Sequence, residues 1–241
     1  MNNLKQMGIF FLGMLLISGI SSCKKQDIDT PIPITPVVIT DSSKKYLALG
    51  DSYTIGQSVP MQDRFSAQLA AILKVNGIAL KEVEYTAQTG WTTLNLQAAI
   101  NTQNPSANYD AVSLLIGVND QYQTHDTTNY RQRFTQLLQK SIALARGKKE
   151  RVFVLSIPDY SVTPAVPASQ KEQVSMEIDW FNAINKNVTL AFNIAYINIT
   201  PSTREAATNP SLIANDGLHP SGLEYKKWAD MLEPLMRNVL K

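Results

Sequence analysis

The sequence predicts an α/β fold: a five-stranded parallel sheet covered on both faces by helices. Three observations support this. From Lys44 onward, short apolar runs alternate with longer amphipathic ones. The strand candidates are nearly continuous in apolar residues, the pattern of strands buried on both faces. Strand and helix candidates also follow one another in turn, which favours parallel pairing through helical crossovers. A length of 241 residues suits one such domain with short appendages.

In chain order, "KYLALG" (45–50) reads as a buried strand. "DRFSAQLAAILKVNG" (63–77) carries Phe65, Leu69, Ile72 and Leu73 at helical spacing, with Asp63 as the expected N-cap and Gly77 as the stop. "KEVEYTA" (81–87) is the second strand and "TTLNLQAAINTQ" (92–103) the next helix. "YDAVSLLIG" (109–117) is the clearest strand. "YRQRFTQLLQKSIALARG" (130–147) sets Tyr130, Phe134, Leu137, Leu138 and Ile142 on one face of a helix. "RVFVLSI" (151–157) is a further strand, followed by the Pro-rich loop "PDYSVTPAVP" (158–167). The spacing predicts a helix over 174–192, through Val174, Ile178, Phe181, Ile184 and Val188. "IAYINI" (194–199) is the last strand. A final helix over 221–240 is expected to bury Leu223, Trp228, Met231, Leu232, Leu235 and Met236.

The N-terminus differs from this domain. Residues 7–20 are apolar and uncharged, too short a run to cross a bilayer comfortably and right for a signal-peptide core. "SSC" follows, and small residues ending in cysteine at that place resemble a bacterial lipobox. Residues 1–22 are therefore expected to be a lipoprotein signal peptide, with Cys23 the lipidated first residue of the mature chain. Residues 23–43, with prolines at 31, 33 and 36, are expected to be an extended tether, and 44–241 the domain. The expected location is the cell envelope, on the periplasmic or surface side of a bacterial membrane. Because Cys23 is the sole cysteine, an intrachain disulfide and a Cys-based zinc site are excluded. Two histidines argue against a multi-histidine metal centre, and a net charge of +2 without basic clusters gives no nucleic-acid surface.

In parallel sheets of this kind, ligands bind beyond the carboxyl ends of the strands. Four polar stations fall there. Ser52 lies two residues past the first strand, Gly90 follows the second, Asn119 the third, and Asp216 and His219 lie between the last strand and the final helix. A serine hydroxyl is a weak nucleophile and needs a base within hydrogen-bond reach. His219 is one of two imidazoles available, and Asp216, three residues earlier, is spaced to hold its Nδ1. An oxyanion needs donors already in place. The candidates are the Ser52 and Gly90 backbone N–H groups and the Asn119 amide. His125, in a polar loop, is the rival base, and Asp120 and Asp159 are the rival carboxylates. Asp51 is expected to bond the local backbone.

Gly50-Asp51-Ser52 with Gly56, then Gly90, Gly117-x-Asn119-Asp120 and Asp216-x-x-His219-Pro220 resemble the SGNH/GDSL hydrolases over the whole domain and in that family's order. The nucleophile motif departs slightly, reading GDSYT. The resemblance implies a flavodoxin-like three-layer α/β/α sandwich. It also implies ester hydrolysis through an acyl-serine, with Ser52 as nucleophile, His219 as base, Asp216 as its orienter, and Ser52, Gly90 and Asn119 as the oxyanion hole. Neither metal nor cofactor is implied. Short acyl or acetyl esters, on small molecules or glycans, are the expected substrates, and no long apolar lid is evident. Lysophospholipase or thioesterase activity is the alternative. A non-catalytic lipoprotein binding glycan or protein is the rival class. The loop 158–167 either walls the acyl pocket or merely connects.

Overall fold

The computed structural model describes residues 43–241. The expected signal peptide, Cys23 and the Pro-rich stretch as far as Ser42 lie outside the described residues. Five strands, β1 (Tyr46–Gly50), β2 (Glu84–Ala87), β3 (Ala111–Leu115), β4 (Val152–Leu155) and β5 (Ala195–Ile197), form one sheet in the order β2-β1-β3-β4-β5. All four pairings are parallel. The three central strands are buried at every position, as their largely apolar character requires, whereas the edge strands β2 and β5 are only partly covered. One polar side chain inside β3 is satisfied across the sheet: Ser113 and the Tyr46 hydroxyl are 2.8 Å apart.

Helices α1 (Ser52–Ile55), α2 (Phe65–Val75), α3 (Thr93–Gln103), α4 (Val118–Thr124), α5 (Tyr130–Leu144), α6 (Lys171–Ala191), α7 (Thr200–Arg204) and α8 (Gly222–Leu240) connect and cover the strands. The sheet order reverses direction once, between β2 and β3. With right-handed crossovers, α2 therefore lies on one face, and α3, α5 and α6 lie on the other. α8 returns to the first face and packs on α2. The contact is aromatic at its centre: Phe65 of α2 meets Trp228 of α8 at 6.0 Å between ring centroids, and Tyr225 meets Trp228 edge-on at 4.9 Å. Among the described residues, no helix is long and apolar enough to cross a membrane.

Three expectations need correction. Asp63 is not the cap of α2. Residues 61–63 first form a 3-10 turn, so the helix starts one residue later, at Phe65, with Arg64 at its cap and no side-chain cap bond. The buried stripe of α8 is Tyr225, Trp228, Ala229, Leu232, Met236 and Leu240, while Leu223, Met231 and Leu235 are exposed. Six residues at helical spacing had combined two adjacent faces, and the aromatic contact with α2 selects the one carrying Tyr225. The short helices α1, α4 and α7 were not anticipated, because four to seven residues are too few to show a helical period.

Candidate active site

Ser52, Gly90 and Asn119 follow the carboxyl ends of β1, β2 and β3, whereas Asp216 and His219 lie far beyond β5, just before α8. β1 ends at Gly50, where a Cβ would collide with the Thr54 side chain and the Leu115 carbonyl, so only glycine lets the chain leave the sheet here. Asp51 caps α1, its Oδ1 accepting the Tyr53 N–H at 3.0 Å, and Ser52 is the first helical residue. At that position the Ser52 N–H has no intrahelical partner. Burial pushes the Asp51 carboxyl up to about 8, helped by the nearby Asp120 charge and opposed by the Tyr53 bond.

Past β2, Gly90 occupies a turn with φ of +79°, and no atom lies within 4 Å of where its Cβ would stand. The demand for glycine there is conformational, because the left-handed backbone is costly for any other residue. Asn119 lies in the first turn of α4, past β3. Its Nδ2 donates one N–H to the Trp91 carbonyl at 3.1 Å and retains a second N–H. The two loops are tied together by Asp120, which accepts from the Thr93 N–H at 2.8 Å, the Thr93 hydroxyl at 2.6 Å and the Arg133 guanidinium at 3.3 Å. Nothing in the sequence pattern identified Thr93 and Arg133 as supports.

Asp216 and His219 occupy a tight turn before α8. The Leu218 and His219 backbone N–H groups both donate to Asp216 Oδ1 at 2.9 Å, and His219 Nδ1 lies 2.6 Å from Oδ2. The Ser58 hydroxyl donates to the same Oδ2 at 2.6 Å. Partial burial disfavours the ionised acid, but the bonds from Ser58, His219 and Leu218 outweigh it and hold Asp216 well below the usual carboxylate range. An ionised carboxylate only accepts, so the hydrogen between the two groups sits on Nδ1, and Nε2 is the ring nitrogen turned away from Asp216. The ring is placed by Tyr53, whose centroid is 5.5 Å away and which packs in turn on Trp228.

Ser52 and His219, only 5% and 6% exposed, line one cleft of about 390 Å³ with Tyr53, Val118, Tyr122 and His125. Ala165, Val166 and Pro167 form another wall, so the 158–167 loop is part of the cleft and more than a connector. The rival carboxylates are committed elsewhere. Asp120 has the partners above, and Asp159 accepts from Arg204 Nε at 2.8 Å, Ser175 Oγ at 2.6 Å and the Ser161 N–H at 2.9 Å. His125 is the αL cap of α4, and its Nδ1 is 2.7 Å from Glu177 Oε2. Sequence reading missed Ser58 and Glu177. Each meets its partner across 52 or more residues, and a lone serine or glutamate gives no periodic or motif signal.

A family model for the GDSL-like lipase/acylhydrolase family matches residues 48–227. No functionally curated protein matches the chain. Among solved structures, a lipase/acylhydrolase from Enterococcus faecalis is similar, with a TM-score of 0.63 and 16% identity, covering 81% of this chain and 96% of that one. An acetylxylan esterase from Geobacillus stearothermophilus gives a TM-score of 0.60 and 18% identity, covering 80% and 94%. The lipase Lip_vut3 from a goat rumen metagenome gives 0.64 and 18%, covering 80% and 97%. At these identities the structures establish the shared fold. The family rests on the matched segment, which spans well over half of the chain.

Proposed function

The chain belongs to the GDSL-like lipase/acylhydrolase family and is a hydrolase, and from that premise we propose that it is a serine esterase acting on short acyl esters, acetyl esters of carbohydrate foremost. Ser52 Oγ attacks the ester carbonyl while His219 Nε2 takes its proton. Asp216 fixes the ring's tautomer and stabilises the imidazolium. The oxyanion receives the Ser52 and Gly90 N–H groups and the second N–H of Asn119. The imidazolium then protonates the departing alcohol. Water, deprotonated by the same His219, releases the acid from Ser52.

The observation that carries this reading is the 2.6 Å bond from His219 to an ionised Asp216, in a cleft that His219 shares with Ser52. The short-acyl preference draws support from the 158–167 segment. Its Ala165, Val166 and Pro167 line the cleft. The carbohydrate preference takes its analogy from the acetylxylan esterase of similar fold. A panel of p-nitrophenyl esters from acetate to palmitate, together with acetylated methyl xylosides, tests both. We expect kcat/KM to be highest for acetyl and to fall roughly tenfold or more by octanoyl, with the acetylated xylosides turned over. Preference for long chains, lysophospholipids or thioesters would replace this reading with the lysophospholipase or thioesterase alternative.

The proposal extends to location. Cys23, the only cysteine, directly follows the apolar run and a pair of serines, and we assign it the lipid anchor that holds the esterase at a membrane of the cell envelope. In cells fed labelled palmitate, the wild-type chain should take up label and Cys23→Ala should not. An unlabelled wild type rejects the anchor.

A further inference from the structure

We propose that His125, together with Tyr122, forms a binding subsite for a hydroxyl-bearing ring, a sugar or cyclic polyol, in the cleft that Ser52 and His219 line. The proposal rests on the cleft being the esterase site, and it names which side chains recognise the alcohol half of the substrate.

A buried polar network lies behind His125. Glu177 is 4% exposed and Gln121 is fully buried. Gln121 Nε2 donates to Glu177 Oε2 at 2.6 Å, Gln173 Nε2 donates to Oε1 at 2.9 Å, and His125 Nδ1 lies 2.7 Å from Oε2. The other end of Gln121 accepts from the Tyr160 hydroxyl at 2.9 Å. Burial opposes the charge on Glu177, but the His125 ring and the two amides outweigh it and keep the carboxyl below its ordinary value. Taking such groups out of water is expensive unless every one is paired, and here the pairing converges on the Glu177 carboxylate, with the His125 ring as one of its three partners.

That ring is half open. The His125 side chain is 53% exposed and lines the same cleft as Ser52 and His219. Its backbone is held at φ of +52°, a region that costs a non-glycine residue energy. With Nδ1–H given to the ionised Glu177, Nε2 is the one ring nitrogen left for a ligand. When the ring is neutral, Nε2 accepts a hydrogen bond; when protonated, it donates one. A hydroxyl, being donor and acceptor, satisfies both states. A carboxylate or phosphate does not, because the Glu177 charge behind the ring leaves the pair neutral or negative.

Beside it stands Tyr122, 64% exposed despite its size and held edge-on against Tyr160 with centroids 6.3 Å apart. It also lines the cleft. A fixed, exposed aromatic ring next to a hydroxyl partner matches the two faces of a sugar, with apolar C–H groups for the ring and an equatorial hydroxyl for the imidazole.

The test uses the full chain and methyl β-xyloside, the alcohol half alone, as a competitive inhibitor of p-nitrophenyl acetate hydrolysis. Wild type should be inhibited. His125→Asn keeps a residue that tolerates the left-handed backbone and removes the imidazole, and it should raise Ki about fivefold or more. Tyr122→Ala, at an exposed position, should raise it similarly. No inhibition of wild type, or an unchanged Ki in both variants, overturns the subsite. A measurement on wild type needs no variant: the chain has two histidines, and added xyloside should shift the ring protons of His125. A titration that leaves them unmoved overturns the proposal, as does tighter binding of methyl glucuronoside than of the xyloside. The two readings fail separately. If xyloside inhibits through His125 but acetylated xylosides are not hydrolysed, the carbohydrate-ester activity falls and the subsite stands. If they are hydrolysed with Ki indifferent to His125 and Tyr122, the subsite alone falls.

Discussion

Ser52→Ala should abolish ester hydrolysis, lowering kcat for p-nitrophenyl acetate by a factor on the order of 10⁵ and ending all labelling by a fluorophosphonate probe. The size of the effect follows from the chemistry lost. Without Oγ there is no acyl-enzyme, and the imidazole is left to activate water on a substrate bound for attack by serine. The oxyanion donors survive, because the Ser52 N–H belongs to the backbone and Asn119 is held by the Trp91 carbonyl. A residual rate above that in water is therefore expected. The fold should tolerate the change. The hydroxyl of Ser52 has no role in capping α1, which Asp51 performs through the Tyr53 N–H, and alanine is a good helix former. A thermal midpoint close to wild type should accompany the dead enzyme. Wild-type activity in Ser52→Ala would mean that the nucleophile is elsewhere.

What the sequence made legible divides along physical lines. The buried strands were plain, because β1, β3 and β4 are covered on both faces and their composition leaves no other reading. The long helices α5 and α6 were plain as well, since Phe134, Leu137 and Leu138, or Val174, Ile178 and Phe181, repeat over enough turns to fix a face. Ser52, Gly90, Asn119, Asp216 and His219 were proposed because their residue types and motif order combined with a parallel topology that brings strand ends to one edge. The supporting shell did not stand out. Arg133 reaches Asp120 from α5, Glu177 reaches His125 from α6, and Ser58 reaches Asp216 from the loop after α1. These contacts depend on how helices dock on the sheet, which periodicity does not encode. The face of α8 was misread for the same reason: its apolar residues cover more than one face, and which of them is buried is decided by Phe65 of α2.

Asp216→Asn should cost about 10³–10⁴ in kcat, far more than loss of one hydrogen bond. The two oxygens of Asp216 have different partners. Oδ1 takes two backbone N–H groups, from Leu218 and His219, while Oδ2 faces His219 Nδ1 and the Ser58 hydroxyl. An asparagine has one acceptor end. The two backbone donors claim it, since the opposite orientation would set an NH₂ against both of them. The amide nitrogen then occupies the Oδ2 position and donates to His219 Nδ1. This inverts the tautomer: the ring proton moves to Nε2, and the lone pair that should accept the Ser52 proton is gone. Stability should change little by comparison, because the turn keeps its two backbone bonds. Ser58→Ala separates geometry from tautomer. It removes one donor to Oδ2 but leaves the carboxylate, so Nδ1 keeps its proton and the loss should be only about three- to tenfold. The comparison is decisive in both directions. If Asp216→Asn retains activity within about tenfold of wild type, His219 is oriented by another acid. If Ser58→Ala falls as far as Asp216→Asn, the serine has a role in the reaction itself rather than in holding the carboxylate.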